Sequence, residues 1–195
     1  MTGRAARIAL ALAAFVALTA QRDPILVPEV SQHEVQVRQG FIGTELLLFG
    51  AILEPDGRRA ARDYDIVVVL KGPTEPIRVR EKEKILGIWV NAQSTAFRSA
   101  PSFFAVASSR PIDEIVDQRT AAIYELGLEY LQLSPSDPID LEEQQRFTSG
   151  LVGLRQRAGL YNEEHQGVTT SEQVLYQARI TLPSNVQTGV YTAET

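Results

Sequence analysis

Thr44-Glu45-Leu46-Leu47-Leu48-Phe49-Gly50-Ala51-Ile52-Leu53 is followed at once by Glu54-Pro55-Asp56-Gly57. Leu46 to Phe49 with Ile52 make the run too apolar for a strand with one wet face, so it reads as a strand near the centre of a core. Pro55 presets φ and Gly57 accepts the positive φ of an Asp-Gly turn, which closes the strand. The same rhythm extends from Glu34 onward. Residues 65–70 form a second buried run, Gly72-Pro73 breaks it, and Ile77-Arg78-Val79-Arg80 alternates, with Ile77 and Val79 on one face and both arginines on the other. Residues 85–90, 103–107 and 174–182 are further strand candidates, and Pro183-Ser184-Asn185 with Gly189 turns the chain before Val190-Tyr191-Thr192. Short β-rich runs broken by turn residues predict a mainly β domain of sandwich or barrel type.

The pattern changes after Arg110-Pro111. Pro111 at a first helical position opens 112–118, residues 121–133 carry a broken helical pattern, and Pro135-Ser136-Asp137-Pro138 stops it. A second helix over 139–158 places Phe147, Leu151, Leu154 and Ala158 on one stripe. Asp140, Glu142 and Glu143 in its first turn and Arg155 and Arg157 in its last complement the helix dipole, and Gly159 ends it. The expectation is therefore one β domain over 21–195 with a helical insert at about 111–159.

Ahead of that domain, Arg4 and Arg7 precede an uncharged run from Ile8 to Leu18, then Ala20 and Gln21-Arg22-Asp23-Pro24. As a helix the run spans ~16 Å, about half of a ~30 Å hydrocarbon core, so it reads as a signal peptide over 1–20 rather than a membrane span. The formal charge of −5 becomes −7 without Arg4 and Arg7. An acidic surface repels phosphate backbones, and nucleic acid is not an expected partner. An exported chain with no cysteine must stand on its hydrophobic core alone, which suits a bacterial envelope protein and removes thiol catalysis and cysteine metal sites. The expected location is the periplasm.

Catalytic patterns are missing. His33-Glu34 opens like a zinc-protease motif, but Val37 stands where the second histidine belongs. Glu163-Glu164-His165 would need distant carboxylates to hold an ion, since three consecutive residues cannot all face one metal. No serine lies in a nucleophile elbow and no glycine loop for phosphate is present, so neither catalytic residues, metal nor cofactor are expected. Arg78-Val79-Arg80-Glu81-Lys82-Glu83-Lys84 mixes both signs and reads either as a solvated face that protects a sheet edge or as an anion site built on Arg78 and Arg80. In Gly87-Ile88-Trp89-Val90-Asn91, Trp89 and Asn91 form a surface recognition pair if Ile88 and Val90 point inward. The competing reading, which the large apolar area of tryptophan favours, packs Trp89 under the helical insert.

Gly87-Ile88-Trp89-Val90-Asn91, the stretch from Pro101 to Pro111, Leu154 to Tyr161 and Leu182 to Tyr191 together resemble, in the same order, the putative transmembrane protein family of alphaproteobacteria. That resemblance implies an N-terminal signal, an envelope-facing domain and one C-terminal membrane helix, with a neighbouring sulfite-exporter-type permease as a possible partner. It brings no catalytic residues. Relatives continue past Tyr191 through more strand and that helix, so by this comparison the chain is a truncated product or a soluble variant. The topology expected by analogy is an immunoglobulin-like β-sandwich, in which a tyrosine near a late strand, here Tyr191, bonds back across the corner. The expected function is that of a non-enzymatic, inner-membrane-associated envelope protein that binds a partner, and the alternative is a periplasmic domain that binds a small ligand or anion.

Overall fold

The computed structural model describes residues 24–53, 64–172 and 174–195. The signal-peptide reading of 1–20 and the turn at 54–57 lie outside the described residues. In chain order the strands are β1 (Ile25–Val30), β2 (Gly43–Leu53), β3 (Val67–Lys71), β4 (Thr74–Ile85), β5 (Ile88–Pro101), β6 (Phe104–Ser108), β7 (Tyr161–His165), β8 (Val168–Ser171), β9 (Leu175–Pro183) and β10 (Thr192–Glu194). Between β6 and β7 lie the helices α1 (Ile112–Ile115), α2 (Gln118–Tyr124) and α3 (Leu141–Arg157), with one 3-10 turn at Leu128–Tyr130.

The protein is mainly β and has several sheets. One four-stranded sheet runs β1-β2-β9-β8 with every pair antiparallel, and a second runs β10-β3-β6-β7 with only the β6–β7 pair parallel. β4 and β5 pair with each other in a long hairpin. Buried residues of both four-stranded sheets, among them Leu46, Ile180, Val68 and Phe104, belong to one hydrophobic cluster.

The two sheets differ in how they are covered. In β2 the residues Leu46, Leu48, Gly50 and Ile52 are buried while Leu47 and Ala51 are half-buried and Phe49 is exposed. β2 lies between β1 and β9, as its apolarity suggested, yet it keeps the alternation of a strand with one wetter face. β6 instead is buried along its whole length, as are Val68, Val69 and Leu70 of β3. Buried residues of the helical segment, including Ala121, Leu131, Phe147 and Leu151, join the same cluster, and this segment packs on β7 and β4. A strand covered on both faces reads as a continuous apolar run, and Phe103-Phe104-Ala105-Val106-Ala107 is such a run.

Asp140 accepts a hydrogen bond from the Glu143 amide at 2.7 Å and Asp117 from the Thr120 amide at 2.8 Å, so α2 and α3 each start at an aspartate cap, and the helix expected over 112–118 ends at Ile115 instead. Pro111 proves to be the cap of α1 rather than its first residue. The predicted stripe on α3 holds for Phe147 and Leu151 but not for Leu154 and Ala158, which are exposed. The reason lies one step around the helix, where Arg155 takes the inward position and its guanidinium meets Glu75 of β4 at 2.5 Å.

Candidate functional site

The β4–β5 hairpin divides into a fixed stem and a free end. The stem is tied down: Ser136 N–H donates to the Ala96 carbonyl at 2.7 Å, Arg98 N–H donates to the Ser134 carbonyl at 3.0 Å, and Val79, Thr95 and Phe97 are buried. Arg146 of α3 makes the last tether, pairing with Glu81 at 3.3 Å and hydrogen-bonding Gln93. Beyond it the ladder continues on its own, and every residue from Lys82 to Ser94 is exposed. Four residues at ~3.3 Å each carry the ribbon roughly 13 Å from Lys82 to its tip.

Ile85 pairs with Ile88, so Leu86 and Gly87 alone make the turn, with φ of 51° and 86°. Positive φ at both central positions is the pattern of a type I′ turn, whose twist matches that of the flanking strands. Glycine fits it without cost. Leucine does not, since its Cβ crowds the following carbonyl in the left-handed region.

Directly paired residues share a face, and successive residues alternate. The pairs Lys82–Asn91 and Lys84–Trp89 therefore lie on one face of the twisted ribbon. β4 alternates without interruption, which sets Arg78 and Arg80 on that face also. The extra residue, Ala92, falls on β5, where the register shifts opposite Glu81 and Lys82. Arg78, Arg80, Trp89 and Asn91, singled out separately in the sequence, thus share one face, and Lys82 and Lys84 complete a basic row. Among the described residues none of the four basic side chains has an ion-pair partner.

One expectation about this segment needs correction, and the condition set for the other is not met. Trp89 is 65% exposed and does not pack under the helical insert. Ile88 and Val90 do not point into the core either: Ile88 is 68% exposed and Val90 is exposed as well. The physical reason is reach, because the helices meet the ribbon only as far out as Arg146 and nothing among the described residues covers the outer pairs.

Several polar groups elsewhere are committed to the fold. Asp65 accepts two hydrogen bonds from Arg110, at 2.7 and 2.5 Å, and these, with one from Ser109, hold its carboxyl below the usual aspartate range. Glu75 accepts from Gln187 at 2.7 Å and pairs with Arg155, and its carboxyl is likewise held low. Burial pushes the Tyr161 hydroxyl up to about 12, and it donates to the Pro101 carbonyl at 2.7 Å. Glu163 lies 3.6 Å from His165, but its other oxygen accepts from the Leu128 amide at 3.0 Å. Among the described residues no group of three or more His, Asp or Glu side chains is placed to hold a metal ion.

A cleft of 470 Å³ opens between the β1–β2 connection and the end of the chain, lined by apolar residues such as Val35, Leu46, Leu70 and Val190 with His33 and Glu34 among them. Tyr191 borders it, and its hydroxyl donates to the Gln187 carbonyl at 2.8 Å.

These features define a mainly β domain that carries a long projecting ribbon, basic on one face and apolar at its tip. The chain belongs to the family described as "Putative transmembrane protein (Alph_Pro_TM)", whose model matches residues 25–195. No curated protein and no solved structure matches the chain. Among the described residues no helix is long and apolar enough to cross a membrane.

Proposed function

We propose that this is a non-enzymatic envelope protein that works by contact on the periplasmic side of the inner membrane, with the β4–β5 hairpin as its contact element. One observation carries the reading: a tethered ribbon ends in a solvent-exposed tip that holds the only tryptophan of the chain beside a row of basic residues without ion-pair partners among the described residues. Exposed aromatic and arginine side chains are the usual anchors of recognition surfaces. A sulfite-exporter-type permease is the partner suggested by the family resemblance.

An immunoglobulin-like sandwich is the framework proposed for it. The order β1-β2-β9-β8 corresponds to strands A-B-E-D of that fold, β10 beside β3 corresponds to F beside C, and the bond from Tyr191 to Gln187 fits a tyrosine corner. Co-purification of the tagged protein from its native envelope tests the functional reading. The permease should accompany the wild-type chain and be lost with Arg78→Glu, Arg80→Glu and Trp89→Ala combined, whereas equal recovery with both would overturn it.

A second reading, direct binding of a small ligand, draws support from the cleft. Among the described residues its lining contains neither lysine nor arginine, which favours an apolar ligand over an anion.

A further inference from the structure

We propose that the tip of the β4–β5 hairpin docks into the surface of an anionic lipid leaflet. This rests on the reading of the hairpin as the contact element and names what that element touches.

The distribution of apolar residues is the first argument. Trp89 lies on one face of the ribbon, Ile85, Ile88 and Val90 on the other, and Leu86 at the turn is 99% exposed. A pocket on a protein grips a ribbon by one face and leaves the other to water. A fluid apolar medium surrounds the tip and accepts both.

Charge is the second. Along β4 the face of Trp89 carries Arg78, Arg80, Lys82 and Lys84 in a chain whose formal charge is −5, and no acid of β4 lies on that face. The acids alternate onto the opposite face, where Glu81 is already paired with Arg146 at 3.3 Å and only Glu83 lies further out. A basic row just behind an apolar tip is complementary to anionic headgroups lying just outside hydrocarbon. Leu86 is roughly 7 Å beyond the level of Lys84 and Trp89, which places the apolar residues at the depth of the acyl boundary and the amines among the headgroups. Tryptophan and lysine are the side chains that settle at that boundary, with the ring partly immersed and the ammonium reaching back to water.

The third argument is the leucine at φ 51°. Asparagine or glycine would take this turn position with less strain, so the fold itself gains nothing from a fully exposed leucine there. Insertion does.

The chain has a single tryptophan, so its emission reports this tip and no other part of the molecule. The full chain is mixed with vesicles of phosphatidylethanolamine and phosphatidylglycerol in equal parts, or of phosphatidylcholine alone. With the anionic vesicles, Trp89 emission should move to the blue and be quenched by bromine-labelled acyl chains, and about tenfold more of the neutral lipid should be needed for the same shift. Leu86→Asn, which suits the turn, and Lys82→Gln with Lys84→Gln should each weaken the anionic response on the order of tenfold while the far-ultraviolet spectrum stays unchanged. Emission that is indifferent to both vesicles overturns the lipid assignment, and the contact reading survives that result if the permease still co-purifies through the hairpin. A shift equal on both vesicles and unaltered by the lysine substitutions overturns the anionic requirement.

Discussion

β6 and the outer part of the β4–β5 hairpin each carry an apolar run, yet every residue of β6 is buried and every residue from Lys82 to Ser94 is exposed. Phe104-Ala105-Val106-Ala107 and Ile88-Trp89-Val90 carry similar signals in the sequence. The difference comes from what lies opposite. β6 has β3 and β7 beside it, and the shared cluster covers both its faces. Past Arg146 the hairpin has only itself among the described residues. Burial belongs to the neighbourhood and not to the strand, so an apolar strand left uncovered by its own chain is available to another surface.

The contrast can be broken first at its buried side. Phe104 is fully buried, stacked edge-on against its ladder partner Tyr161 with ring centres 6.1 Å apart. Phe104→Ala should cost about 3–5 kcal/mol in urea unfolding, the usual loss for a buried aromatic ring. A smaller effect comes from Gly50, where an added Cβ would lie 2.4 Å from the Val27 carbonyl and 2.7 Å from the Tyr176 ring. β1 and Tyr176 close directly over that glycine, so Gly50→Ala should destabilise by roughly 1–3 kcal/mol, measured by the shift of the urea midpoint.

The stem of the hairpin answers to pH. Glu75, held low first by its hydrogen bond from Gln187 and then by Arg155, has a lower folded than unfolded value. Its stabilisation is complete above the ordinary value of 4.5 and is lost as pH falls through the folded one. Thermal unfolding followed downward from pH 6 should show this loss below about 4.5, and Glu75→Gln should flatten that limb by on the order of 1 kcal/mol. At the tip the sign reverses. Leu86→Asn relieves a left-handed leucine and should stabilise the protein by up to about 1 kcal/mol, so that one substitution raises the melting temperature while it weakens docking.

Much of the fold was legible in the sequence because it is written in local patterns. Alternation placed Arg78 and Arg80 opposite Val79, Gly72-Pro73 ended β3, and the helix expected over 139–158 is α3, its start shifted to Leu141 with Asp140 as the cap rather than a first-turn residue. The sheet order was not, since β2 beside β9 and β3 beside β10 join residues more than a hundred positions apart. The site was half legible. Trp89, Asn91, Arg78 and Arg80 were recognised as unusual, but their common face depends on where the extra residue Ala92 falls, which no periodicity reveals. Lys82 and Lys84 are hidden in a run of mixed charge, and only alternation carried as far as the tip sorts the lysines from the glutamates. Leu154 shows the same limit in a helix: its spacing was right, and Arg155 took the inward place because Glu75 was there to meet it.

Whether the outer hairpin serves contact or the fold is decided by the unfolding free energy of Trp89→Ala. Trp89 is 65% exposed and a side chain so placed can be removed at little cost, so the variant should unfold within about 0.5 kcal/mol of the wild type. A loss of about 3–5 kcal/mol, the cost of truncating a buried aromatic residue, would place Trp89 in the core and make the outer hairpin part of the fold.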